Sequence, residues 1–142
     1  MADLREKILA KFRGQKVLSA LATVTEDGKP WVRYLMVTCD PDTLCMWTTT
    51  SPNSRKVTQV RANPEVHLTL GVRDLPTAVD YLQVQAVVEV LTDTQTKHKF
   101  WTDDLTAYVS GPDDPNYAVI RFTPYRIEYQ TRTGEAPEVW EA

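Results

Sequence analysis

The chain has 142 residues, 42% apolar and 25% charged, with a formal net charge of −3. That is ordinary for one folded domain with a core of its own, and no disulfide framework is needed to hold it. No segment approaches the roughly 18 uninterrupted apolar residues of a membrane span. The opening Met1-Ala2-Asp3-Leu4-Arg5-Glu6-Lys7 is charged, with no apolar run behind it, so the expected compartment is the cytoplasm.

The net charge hides an asymmetry. Residues 1–73 carry 11 Lys/Arg against 7 Asp/Glu, whereas residues 74–142 carry 5 against 12. Neither half has the dense Lys/Arg stripe of a nucleic-acid surface. Cys39 and Cys45 flank the turn Asp40-Pro41-Asp42-Thr43. In a reducing compartment they are expected to be free, packed thiols. Two cysteines and two scattered histidines make no metal-site spacing.

In chain order, Leu4, Ile8, Leu9 and Phe12 form one helical stripe over residues 3–13, and Gly14 ends it. From Val17 to Thr25 the even positions Leu18, Ala20, Ala22 and Val24 make one apolar strand face. Glu26 to Pro30 is a hairpin turn in which Gly28 is free to take positive φ. Trp31 to Cys39 reads as a strand, and the Asp40–Thr43 turn returns it as Leu44 to Thr50. Glu65 to Val72 alternates with Val66, Leu68, Leu70 and Val72 inward, leaving His67 and Thr69 on the other face. Val79 to Leu91 is the longest strand signal, apolar at its even positions and carrying Tyr81, Gln83, Gln85 and Glu89 at odd ones. That second face suits a ligand, a second subunit or plain solvent. Asp93 caps a short helix reaching Trp101, and Ser110 to Pro115 is irregular. Tyr117 to Phe122 and Tyr125 to Gln130 read as two strands broken at Pro124, followed by an acidic tail, residues 131–142, with Trp140. Six or seven strands in hairpins point to a mainly β fold, a small closed or nearly closed antiparallel barrel.

Between the first three strands and the fourth lies the stretch with the most chemistry. Trp47-Thr48-Thr49-Thr50 is a strand that breaks at Ser51-Pro52. Asn53 or Ser54 can then cap a helix whose first turn holds Arg55 and Lys56 and which stops before Asn63-Pro64. Hydroxyls delivered to a helix N-terminus with two cations make a phosphate cradle: free N–H groups and the positive end of the helix dipole meet the anion. The same residues also describe a surface helix with an ordinary cap and two solvated cations.

The run Arg33-Tyr34-Leu35-Met36-Val37, then Thr49-Thr50, Ser54-Arg55-Lys56 and Asn63-Pro64, resembles the pyridoxamine 5'-phosphate oxidase-like flavin-binding split barrels. The closing segment from Gly111-Pro112-Asp113-Asp114-Pro115-Asn116-Tyr117 through Ile120-Arg121-Phe122-Thr123-Pro124 to Glu128-Tyr129 resembles the general stress protein 26 branch of that superfamily. The resemblance implies a six-stranded antiparallel split barrel, forming a homodimer with FMN at the subunit interface. It implies that Arg33, Thr50, Ser54, Arg55 and Lys56 hold the FMN phosphate, and that Thr49 lines the ribityl chain. Tyr34, Leu35 and Met36 would run beside the isoalloxazine, and Tyr81, Gln83 and Gln85 of the other subunit would complete the pocket. Thr38 stands where the oxidase has Lys, and Tyr81 falls where it has a flavin-facing Gln. The oxidase's C-terminal Trp and Arg have no matching context around Arg132 and Trp140, so the resemblance does not extend to pyridoxamine phosphate as substrate. It implies a flavin-dependent oxidoreductase on an unidentified small substrate, with no residue assigned as general acid or base. The alternatives are a flavin-binding stress or sensor protein without turnover, or the same barrel holding haem or a deazaflavin.

Overall fold

Seven strands of one antiparallel sheet wrap around an apolar core, in the order β3-β2-β1-β4-β5-β6-β7. The strands are β1 (Val17–Val24), β2 (Pro30–Cys39), β3 (Met46–Thr50), β4 (Glu65–Leu70), β5 (Asp80–Leu91), β6 (Ala118–Thr131) and β7 (Glu138–Glu141). The computed structural model describes residues 2–131 and 134–142; Arg132 lies outside them. Because β3 also pairs with β6, from Met46↔Phe122 to Thr50↔Ala118, the first six strands close into a barrel. The pairing closes the sheet through short β3 and leaves part of the β2 and β6 edges uncovered by it.

Three helices surround the barrel: α1 (Leu4–Ala10), α2 (Arg55–Ala62) and α3 (Thr94–Lys99). Each begins at a residue whose side-chain oxygen accepts from the third backbone N–H beyond it: Asp3 from Glu6, Ser54 from Val57 and Asp93 from Thr96. Ile8 and Phe12, from α1 and the turn after it, and Val57 and Val60 of α2 join the strand residues Leu21, Val37, Met46, Leu68, Leu82, Val84, Phe122 and Ile127 in one core.

Two expectations need correction. First, β6 is one strand of 14 residues and does not break at Pro124. The register with β5 shifts between Gln85 and Ala86, so Ala86 faces Pro124 while Gln85 faces Arg126. Proline cannot donate to a ladder, and an irregularity of this kind is where a strand tolerates one. Second, the acidic tail contains β7, which pairs with β6 from Arg126↔Glu141 to Tyr129↔Glu138. β3 covers only the first part of that edge, and β7 takes the rest. Trp140 packs against the core, and Lys7 meets Glu138 at 2.6 Å while Arg126 meets Glu141 at 2.6 Å.

The apolar even face of β1, which the sequence did not assign to core or solvent, points outward. Ser19, Leu21 and Thr23 are buried, whereas Leu18 is 54% exposed. Its neighbours across the ladder, in the pairs Leu18↔Met36, Ala20↔Tyr34 and Ala22↔Val32, lie on the same outer face. Val32 is 65% and Tyr34 76% exposed there. Period-2 alternation identifies two faces of a strand but does not by itself say which one faces the core. The outer apolar face continues into a polar one across the sheet, because Ala22 pairs with His67, His67 with Gln85, and Gln85 with Arg126.

Candidate functional site: a cationic cradle at the start of helix α2

Ser54 caps α2 in an extended conformation, and its hydroxyl accepts from the Val57 amide at 3.4 Å. The amides of the first helical turn, Arg55 and Lys56, have no acceptor inside the helix, as at any helix start. Thr50, the last residue of β3, lies with its hydroxyl 3.3 Å from Ser54 Oγ, and Lys56 Nζ donates to Thr50 Oγ1 at 2.8 Å. Arg55 extends over the indole of Trp31, its guanidinium 5.1 Å from the ring centroid.

Arg33 enters from the inner face of β2, opposite Leu21 of β1. Its Nη1 donates to Thr23 Oγ1 at 2.7 Å and to the Leu21 carbonyl at 3.4 Å; its Nη2 donates to Gln59 Oε1 at 2.6 Å. Thr23 in turn donates to Gln59 Oε1 at 2.5 Å. Burial first, and the charge of Arg55 second, lower the Arg33 pKa. Burial and then the charge of Arg33 do the same to Lys56. These shifts fit three cations near one another in a partly dehydrated place. None of the seven salt bridges among the described residues includes Arg33, Arg55 or Lys56. Their partners are hydroxyls, an amide oxygen, a backbone carbonyl and a ring. The cluster therefore keeps its positive charge while holding fixed geometry, which is what a bound anion requires.

The structure thus brings together Arg33, Thr50, Ser54, Arg55 and Lys56. Thr49 pairs with Val119 and shares the opposite face of β3 with Trp47, so its side chain stands apart from the hydroxyl cluster. Tyr34 and Met36 project from the outer face of β2. Leu35 turns inward, and its carbonyl accepts from Ser19 Oγ at 3.0 Å. Tyr81, Gln83 and Gln85 lie on β5, three strand positions away from β2 in the sheet order, or about 14 Å around the barrel wall. Within one protomer they do not meet the cradle. Gln83 and Gln85 instead line a polar hollow of about 340 Å³ with His67, Arg126 and Glu128. Burial pulls the His67 pKa down, opposed by Glu128.

Three contributors were not legible as site residues. Thr23 and Gln59, 1% and 4% exposed, anchor Arg33, and Trp31 carries Arg55. A buried Gln on a helix otherwise rich in polar residues was the one available signal, and it needed a partner 26 positions away. The cysteines stay outside the site: both are free. Burial, with Asp40 and Cys45 adding to it, pushes the Cys39 thiol up to about 12, so it remains protonated and unreactive at neutral pH. A cavity of about 680 Å³ lies elsewhere, between α1 and the starts of β1 and β5. The chemistry of its donors is what marks the cradle.

Residues 4–131 match the family model described as pyridoxamine 5'-phosphate oxidase. The chain is 30% identical over 135 residues to general stress protein 26 of Bacillus subtilis (strain 168), covering 95% of this chain and 94% of that protein. The crystal structure of general stress protein 26 from Bacillus anthracis str. Sterne superposes with a TM-score of 0.80 at 30% identity, over 98% of both chains. An F420 reductase shares the fold at 22% identity, with a TM-score of 0.65 over 89% of this chain and 98% of that one. With that family match over most of its length, the chain belongs to the pyridoxamine 5'-phosphate oxidase-like split barrels, proteins that commonly bind flavin.

Proposed function

We propose that this chain binds FMN and serves as a flavin-dependent oxidoreductase on a small substrate. One observation carries the reading: three cations, two hydroxyls and a helix N-terminus converge without a carboxylate among them. A terminal phosphate monoester, with close to two negative charges at neutral pH, fits that donor set. Arg33, Arg55 and Lys56 would supply charge, Thr50 and Ser54 hydroxyl donors, and the first-turn amides of α2 backbone donors. FMN, when bound, supplies two-electron chemistry at its ring. The chain's part is to anchor the phosphate, lay the ring along Tyr34 and Met36 of β2, and exclude water from it.

The exposed apolar patch of Leu18, Val32, Tyr34 and Met36 supports a homodimer as the working unit. A second copy covering that face would bury roughly 2,000 Å² or more, the scale of obligate interfaces. It would also deliver Tyr81, Gln83 and Gln85 of the partner subunit to a pocket they do not reach within their own protomer. Retention of flavin without turnover is the competing role, and a deazaflavin, as in the reductase of the same fold, is the competing ligand. An absorbance spectrum of freshly purified protein, with mass identification of whatever heat releases, tests the ligand. Flavin bands with released FMN are expected; a haem or deazaflavin spectrum would refute the reading. Sedimentation should give a dimer at micromolar concentration, and a stable folded monomer would refute that part.

A further inference from the structure

The cradle's charge depends on a residue that does not face its opening. We propose that Gln59 is a positioning residue that fixes Arg33 while leaving its positive charge uncompensated, and so sets the preference for a phosphate-bearing flavin. The inference rests on the FMN reading and concerns how the phosphate site is built.

Arg33 is a partly buried cation with both Nη atoms tied down. Thr23 and the Leu21 carbonyl hold Nη1, and Gln59 holds Nη2 at 2.6 Å. Thr23 both accepts from Arg33 and donates to Gln59, so the three side chains form a closed triangle. That triangle fixes the amide orientation: Oε1 of Gln59, and not its nitrogen, must face the two donors. A buried arginine is usually paired with a carboxylate, because leaving a charge in low dielectric without one is costly. Here the helix position facing Arg33 carries the neutral isostere of glutamate. A glutamate at this point would bind the guanidinium more strongly and would cancel one of the three charges available to an anion. With glutamine the geometry is kept and the charge remains.

The experiment is a pair of fluorescence-quenching titrations, FMN and riboflavin, on wild type, Gln59→Glu, Gln59→Met and Arg33→Gln. Riboflavin lacks the phosphate and reports on the ring site and the fold. Gln59→Glu is expected to lower the FMN-over-riboflavin preference at least about tenfold while leaving riboflavin affinity unchanged. Gln59→Met keeps the charge but removes an anchor, so it should lower the preference by a smaller factor, roughly two- to fivefold. On Arg33→Gln the glutamate still adds a negative charge beside Arg55 and Lys56, so the cycle is read with Gln59→Met, which should cause little further loss of preference once the arginine it anchors is gone. If Gln59→Glu does not fold, the methionine variant and its cycle with Arg33→Gln carry the test. A purely structural role would lower the melting temperature of both variants and leave the preference at its wild-type value; that result overturns the inference. Wild type showing no preference for FMN would instead overturn the phosphate reading on which it rests.

Discussion

Two clusters of cations in this molecule are built on opposite plans. Around α1 and β7, Lys11 meets Asp80 at 2.6 Å, Lys7 meets Glu138 at 2.6 Å and Arg126 meets both Glu128 and Glu141. Lys7, Lys11 and Arg126 each face a carboxylate, and Tyr129 adds a hydrogen bond to Asp80. At the start of α2, Arg33, Arg55 and Lys56 face only neutral groups. The first plan fastens the N-terminal helix and the C-terminal strand to the barrel. The second accepts mutual repulsion and keeps charge available. Residue types alone do not separate the two; what distinguishes them is the sign of the partner.

Breaking the second cluster should give the largest functional effect. Hydrogen bonds to charged groups contribute about 1.5–3 kcal/mol each, and every 1.4 kcal/mol is about tenfold in affinity. Replacing Arg55 and Lys56 with Gln should therefore reduce the FMN-over-riboflavin preference by ~100-fold, with riboflavin binding barely changed. Both residues are on the outer first turn of α2, so the barrel should remain folded by circular dichroism. Equal loss for both flavins would mean the ring site or the fold was damaged.

The first cluster should respond the other way. Asp80→Asn is expected to cost about 1–2 kcal/mol of stability, since it weakens a partly exposed ion pair and a tyrosine hydrogen bond. The melting temperature should fall by roughly 2–5 °C with flavin preference unchanged. Asp80 also gives this cluster a pH signature. Lys11 first, then Tyr129, hold its pKa below the ordinary value of 3.8. A carboxylate lowered in this way stabilises the fold above its unfolded pKa, and that contribution is lost as pH falls below about 4. Thermal melts of wild type should lose stability in that window more steeply than melts of Asp80→Asn.

The cradle's own pH signature is an alkaline one. Burial lowers the Lys56 pKa, so Lys56 loses its proton before an ordinary lysine does. The FMN-over-riboflavin preference should decline as pH rises toward 10. It should also decline below about 6, where the phosphate takes up its second proton. Ring ionisation is common to both flavins and cancels in the ratio. A preference flat across that range would remove Lys56 from the phosphate site. The smallest effect belongs to the cysteines: Cys39→Ser with Cys45→Ser should keep flavin binding. A loss of flavin with the fold intact would contradict their inert role.

Much of this was readable in advance because it is local. Ser54 at the cap, Arg55 and Lys56 in the first turn, and Asn63-Pro64 at the stop all act within a few residues of chain, and the helix runs from Arg55 to Ala62. The alternation of β5 and of β4 as far as Leu70 was equally clear, but Val72, expected inward, lies past the end of β4 and is 43% exposed. What escaped depends on distant partners. Pro124 ends a strand in isolation but survives in β6 because the β5 register shifts beside it. The tail read only as an acidic segment with Trp140; its strand forms because Lys7 and Arg126 supply counter-charges and β6 supplies a free edge. The inward side of β1 carries Ser19 and Thr23, polar residues satisfied by the Leu35 carbonyl and by Gln59. Only with those partners in place does the more apolar face become the outer one.

Whether the uncompensated charge at α2 holds a phosphate is measured most directly on the unaltered protein. Apoprotein titrated with FMN and with riboflavin in the same low-salt buffer should bind FMN at least ~100-fold more tightly, the effect of two charge-assisted contacts. Equal affinity for the two flavins would contradict it, and would leave residues 54–56 as an ordinary helix cap with two solvated cations.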